Sequence, residues 1–168
     1  MSTAGSVAPF GPREIFATLI RHEVGFVTVG AFALVAHGVV RATGDVDVVP
    51  DPADGNRRRL ADALAELEAI PDGEPGAPVD TALLARDANM RFQTCHGQLD
   101  LLCSRQYSEL YPRLAAGSVI AEAAGLAIPV VGREDLIALK AAAGRDKDVV
   151  DIGDLLALDA PSPSDPKR

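Results

Sequence analysis

The chain has 168 residues, a formal net charge of −8 and a pI near 4.8. That length fits one domain with a sizeable core, and the acidic balance argues against broad, nonspecific nucleic-acid binding, which needs a basic surface. No apolar run reaches the ~18 residues of a membrane span, so no membrane partner is expected.

Residues 1–10 are small and apolar, punctuated by Gly5 and Pro9, and read as a flexible arm before a domain over 11–158. Pro12 suits the first turn of a helix reaching about residue 23. Residues 26–29 read as a strand ending at Gly30, and 31–37 as a short helix closed by Gly38. Thr43-Gly44 is a turn signal before a strand over 45–49, which Pro50 ends. Apolar residues at 60, 63, 64, 67 and 70 give a helical period over 53–70. Residues 71–78 carry three prolines and two glycines and form a loop.

Two strands over 89–94 and 98–103 are expected to meet at a tight turn on His96-Gly97. A helix over 107–116 contains Pro112, and 119–123 with 126–131 forms a hairpin around Gly125. Helices over 134–143 and 147–158 are separated by Gly144-Arg145, and the proline-rich tail over 159–168 is expected to be disordered. The fold class is therefore α/β or α+β, a mixed β-sheet flanked by α-helices in one domain.

Three aspartates carry the chemistry. The run Val27-Thr28-Val29-Gly30-Ala31 is followed, after thirteen intervening residues, by Asp45-Val46-Asp47-Val48-Val49, and later by Gln98-Leu99-Asp100-Leu101-Leu102. Asp45 and Asp47 are two apart on a strand, so both leave the same face. Like charges that close repel unless a cation lies between them. Carboxylates of this kind suit Mg²⁺, which binds through one or two acids plus substrate phosphates. Asp100 taken alone could instead pair with an arginine.

The chain resembles the nucleotidyltransferase superfamily that includes DNA polymerase β, through Gly30-Ala31, Asp45, Asp47 and Asp100. It resembles more specifically the bacterial AbiEii/MenT-like branch. The residues that carry this are Gly30-Ala31-Phe32-Ala33, the stretch from His37-Gly38 through Arg41 and Thr43 to Asp45 and Asp47, and Asp135-Leu136-Ile137-Ala138-Leu139-Lys140 followed by Arg145-Asp146-Lys147-Asp148 and Asp151. Ala31 departs from the usual glycine or serine, which leaves phosphate contact there to backbone N–H groups.

The resemblance implies transfer of NMP from an NTP to a hydroxyl acceptor, with Mg²⁺ or Mn²⁺ as cofactor. Asp45, Asp47 and Asp100 would hold the metal, with Asp100 facing the acceptor hydroxyl. Gly30 and Ala31 would let the backbone approach phosphate. Lys140 lies one helical turn after Leu136, so it either snorkels or reaches a phosphate. Arg145 is a further nucleotide candidate. Arg41 either touches the triphosphate or neutralises the acids. Asp148 and Asp151, three apart on one helix face, would support Arg145 and Lys140 by ion pairing. His37 reads as a capping or hydrogen-bonding residue.

The acceptor stays open. It is either a tRNA end, for a toxin beside a separate protein antitoxin, or a small molecule, as in aminoglycoside nucleotidyltransferases; the acidic surface fits a cationic small substrate better than RNA. A catalytically silent nucleotide- or partner-binding domain is the third reading. All three acids argue against it, while the short chain leaves little room for an acceptor-binding domain unless a homodimer supplies a wall. The N-terminus lacks a basic n-region and an apolar h-region, so no secretory signal is expected. Cys95 and Cys103 are isolated, and a reduced cytoplasmic setting is expected.

Overall fold

A computed structural model describes residues 9–160. The arm expected over 1–10 and the tail expected over 159–168 therefore lie mostly outside the described residues. Within them, Phe10 packs at a tilt on Phe32, with ring centroids 6.3 Å apart, and the Gly11 N–H donates to the His96 carbonyl at 2.8 Å.

Among the described residues, seven strands form one mixed sheet: β1 (Phe26–Val29), β2 (Asp45–Pro50), β3 (Ile70–Pro71), β4 (Met90–Thr94), β5 (Gly97–Leu101), β6 (Val119–Ala123) and β7 (Leu126–Val130). Their order is β3-β4-β5-β2-β1-β7-β6. β2 lies at the centre, antiparallel to β1 and parallel to β5, and β1 is parallel to β7. Among the described residues, seven helices accompany the sheet: α1 (Pro12–Arg21), α2 (Gly30–Ala36), α3 (Asp54–Glu66), α4 (Thr81–Leu84), α5 (Arg105–Ala116), α6 (Arg133–Ala143) and α7 (Asp146–Ala157). None of the described helices is long and apolar enough to cross a membrane.

The period of two decides which face of the sheet is core. In β2, Val46 and Val48 are fully buried while Asp45 and Asp47 stay partly open. The register carries this across the sheet: Val46 sits opposite Leu99, which sits opposite Phe92, and all three are buried. Each such side chain contributes roughly 1.5–3 kcal/mol relative to exposure. Ile15, Phe16 and Leu19 of α1 and Leu60 and Leu64 of α3 join the same core. The alternate residues form the opposite face, where Asp45, Gln98, Gln93 and Ile70 share one cross-strand row and Asp47, Asp100 and Arg91 the next.

Some expected boundaries shift. The helix expected over 53–70 stops at Glu66, because Glu68 takes φ +52° and breaks the helix. Ile70, expected on its apolar stripe, pairs instead with Gln93 as the edge strand β3. Within the following loop region, Asp80 caps the one-turn α4, its Oδ1 accepting from the Leu83 N–H at 2.9 Å. The β4–β5 turn falls on Cys95-His96, since Thr94 pairs directly with Gly97. Thr94 Oγ1 holds it there by donating to the Gly97 carbonyl at 2.7 Å and accepting the His96 N–H at 3.1 Å.

Candidate active site

The three predicted acids meet. Asp47 is the direct register partner of Asp100 on the parallel strand β5, and Asp45 lies one pleat away on β2. One carboxylate oxygen from each lies within 4.8 Å of the other two. An all-oxygen set of three acids at that spacing fits a hard divalent cation, with Mg²⁺ or Mn²⁺ the natural choices. Asp47 carries the same message. Burial, then the charges of Asp45 and Asp100, push its carboxyl up to about 7, against an ordinary 3.8, with Lys147 and Arg91 offsetting part of the rise. A cation among the three would relieve that repulsion.

Gly30 is fixed by Asp47. It takes φ +69°, and a Cβ there would lie 2.2 Å from Asp47 Oδ2. The expectation that Gly30 serves close phosphate approach is thus joined by a nearer reason: the acid occupies the space of a side chain. Gly30→Ala is expected to displace Asp47 and abolish any rise in melting temperature on adding Mg²⁺. Thermal melts with and without metal check this, and an undiminished rise would place the metal away from Asp47.

Asp100 has two sets of neighbours. It stands in the acid cluster and also receives Arg91 through two parallel bonds, Nε to Oδ1 at 3.0 Å and an Nη to Oδ2 at 3.1 Å. Gln98, on the same face of β5, donates its Nε2 to Asp45 at 3.2 Å and to Asp100 at 3.3 Å. Arg91 and Gln98 thus hold the rotamers of two acids. The cross-strand register brings both of them there.

The acids open into a cleft of about 500 Å³, whose far wall comes from α6 and α7. Lys140, Arg145, Asp148 and Asp151 line it together with Arg41, Gly30 and Ala31. The charged groups form one chain. Arg41 pairs with Asp151; Asp151 accepts from Lys140 Nζ at 2.8 Å; Lys140 stands 3.5 Å from Asp148; Asp148 accepts from Arg145 Nε at 2.7 Å. Asp148 and Asp151 are almost fully buried and Lys140 is 8% exposed. The Arg145 side chain, aided by its backbone N–H, holds the Asp148 carboxyl below the usual carboxylate range.

Ion pairing by Asp148 and Asp151 is therefore present, and it engages all three basic residues expected to face nucleotide. Arg41 pairs with this chain and not with the three acids. Lys147, Asn89 and Tyr107 also line the cleft. No periodicity marks them, because each is brought in from a different element end. His37 holds the fold, its Nε2 lying 2.7 Å from the Val131 carbonyl. The Arg57-Arg58-Arg59 run lies on α3 outside the cleft, with Arg57 on Asp54 at 2.8 Å. Cys103 is buried enough to push its thiol up to about 12, which suits a core residue rather than a nucleophile.

Comparison with known proteins places the architecture. No protein-family model matches the chain, and no curated protein matches it by sequence. Solved structures do match. A candidate nucleotidyltransferase from Thermotoga maritima aligns with TM-score 0.58 at 14% identity, covering 90% of this chain and 97% of its own. The lincosamide antibiotic adenylyltransferase LnuA, solved with lincomycin, aligns at 0.59 and 12%, covering 89% and 99%. ANT(2″)-Ia, solved with adenylyl-2″-tobramycin, aligns at 0.58 and 16%, covering 88% and 86%. At these identities the likeness is one of fold, and the fold is that of nucleotidyltransferases.

Proposed function

We propose that this protein is a metal-dependent nucleotidyltransferase that moves NMP from an NTP to a hydroxyl of a small-molecule acceptor, releasing pyrophosphate. The observation that carries the reading is the convergence of Asp45, Asp47 and Asp100 in a cleft that Arg41, Lys140 and Arg145 also line. The wall chain sets three cations, Arg41, Lys140 and Arg145, against two acids, leaving one positive charge in excess. Acids and excess positive charge lining one cleft suit a polyphosphate presented to a metal-binding cluster.

Asp45, Asp47 and Asp100 would hold the metal, which supplies charge stabilisation at the phosphoryl oxygens. The acceptor oxygen forms a bond to the α-phosphorus as the bond to the bridging oxygen of pyrophosphate breaks. Asp100, on β5 beside β4 and oriented by Arg91, would take the acceptor's proton. Gly30 and Ala31 border the cleft where the polyphosphate would lie, and the Lys140 and Arg145 charges, though engaged by Asp148 and Asp151, contribute to its field.

Two arguments favour a small acceptor. The net charge of −8 opposes a long anionic polymer and welcomes a cationic one-site ligand. The fold neighbours named for antibiotic adenylylation support the same class. The tRNA-acceptor reading, with a protein antitoxin, rests on the AbiEii/MenT-like segments around His37–Asp47 and Lys140–Asp151. One assay separates them: labelled NTP and Mg²⁺ are incubated with the protein and either total cell RNA or a panel of amino-sugar and lincosamide acceptors. Label is expected on a small molecule and lost in Asp45→Asn. Label on RNA would favour the toxin reading, and label on neither would leave a nucleotide-binding domain.

A further inference from the structure

We infer that the outer face of α7 is a homodimer interface, packing antiparallel on α7 of a second copy of this chain. The exposed large apolar side chains of the described residues fall in three places. Ile70 lies on the edge strand β3, and Val119 and Ile120 lie on the edge strand β6. The others are Val149, Val150 and Leu156 of α7, Leu158 at its C-cap, Val35 of α2, and Val40 just beyond α2. These belong to one region: Leu158 lies beside Gly38 at the end of α2, and Val40 precedes Arg41, which pairs with Asp151 of α7.

α7 is apolar on two sides. Its buried face is Asp148, Asp151 and Leu155. Val149, Gly153 and Leu156, spaced four and seven apart, form a second stripe on the roughly opposite side, with Val150 and Ala157 alongside. Val149, Val150 and Leu156 are each more than half exposed. This stripe does not serve the cleft, which α7 lines through Lys147, Asp148 and Asp151. Contiguous exposed apolar surface marks a site of association. Gly153 adds a second sign. Glycine weakens a helix interior, and a Cβ here would meet nothing within 4 Å, so no contact inside the chain asks for it. A second helix crossing at Gly153 gains a closer approach.

The sequence identifies the occupant. Residues 161–168 hold no large aliphatic or aromatic side chain and residues 1–8 hold only Met1 and Val7, too little to cover the stripe. The stripe itself is symmetric about Gly153, with Val149 and Val150 to one side and Leu156 and Ala157 to the other. A two-fold axis at Gly153 sets Val149 against the other copy's Ala157 and Val150 against its Leu156. Such an isologous contact closes at two chains. Parallel helices would place the two Asp146 side chains together; the antiparallel arrangement separates them and opposes the helix dipoles. The stripe needs no ion pair, and each chain carries −8, so added salt screens repulsion and tightens the dimer.

Sedimentation velocity of the full chain, from micromolar to submillimolar concentration in low and high salt, tests this. Wild type is expected to pass from the mass of one chain to that of two, at lower concentration in high salt. The double variant Val149→Lys with Leu156→Lys changes positions that are open to solvent in the single chain. It is expected to weaken association roughly a hundredfold or more. Lysine is the better helix former relative to valine, so circular dichroism and the melting temperature of the dilute variant should match wild type. Gly153→Cys is expected to give a disulfide-linked dimer on mild oxidation that wild type, with Cys95 and Cys103 alone, does not give. Wild type that stays monomeric throughout, a folded double variant that associates as wild type does, or a Gly153→Cys variant that does not cross-link would each overturn the assignment.

Discussion

Asp47→Asn is expected to melt at a higher temperature than wild type in EDTA at pH 8, and to lose the stabilisation that Mg²⁺ gives wild type. Asp47 is pushed up to about 7 from 3.8, so between those two pH values the folded chain keeps a proton that the unfolded chain has lost. Stability therefore falls as pH rises from about 4 to 7, and the full penalty is present above 7. With one pKa unit worth about 1.36 kcal/mol, the penalty is on the order of 2–4 kcal/mol. Asparagine keeps the shape without the charge and escapes it. At about 2–4 °C per kcal/mol for a chain of this size, the variant should melt roughly 4–16 °C higher without metal.

Millimolar Mg²⁺ reverses the comparison. A ligand that binds only the native state stabilises it, and wild type offers three acids where the variant offers two. Melting curves from pH 4 to 9, with EDTA and with Mg²⁺, check both halves. A variant less stable than wild type in EDTA at pH 8 would mean that Asp47 is a structural acid rather than a strained metal ligand.

Much of this site was readable because it depends on local periodicity. Asp45 and Asp47 alternate with buried valines, which fixes both the strand and the face. Gly30 at the end of β1 marks the turn that brings α2 beside them. What was hidden depends on register. A hairpin turning on His96-Gly97 would set Asp100 opposite Gln93, whereas the turn on Cys95-His96 sets it opposite Arg91. One residue of shift hides the clamp, and no propensity distinguishes the two turns; the Thr94 hydroxyl does. Ile70 misled for a related reason: it continues the apolar spacing of α3, but Glu68 has already left helical geometry. Lys140 was legible as a lysine on an apolar face. That its amine is met by Asp151 and Asp148, and so is built into the wall, follows only from how α6 and α7 pack.

That packing gives the second large effect. Asp151→Ala is expected to destabilise the fold by about 3–5 kcal/mol, the range for removing one partner of a buried ion pair. Asp151 is 2% exposed and receives both Lys140 and Arg41. Without it, the nearly buried ammonium of Lys140 keeps only Asp148, at 3.5 Å and already shared with Arg145. Arg41, one-third exposed, can rehydrate; Lys140 cannot. Replacing the lysine as well removes the stranded charge, so Asp151→Ala with Lys140→Met should recover most of the loss. Lys140→Met alone should cost less than Asp151→Ala, because each aspartate retains an arginine. Urea denaturation of the four proteins, read as midpoint with unchanged slope, closes the double-mutant cycle. If Asp151→Ala lies within 1 kcal/mol of wild type, the α6–α7 wall is held by its apolar contacts around Leu136 and Leu155, and the ion chain serves the charge of the cleft without holding up its wall.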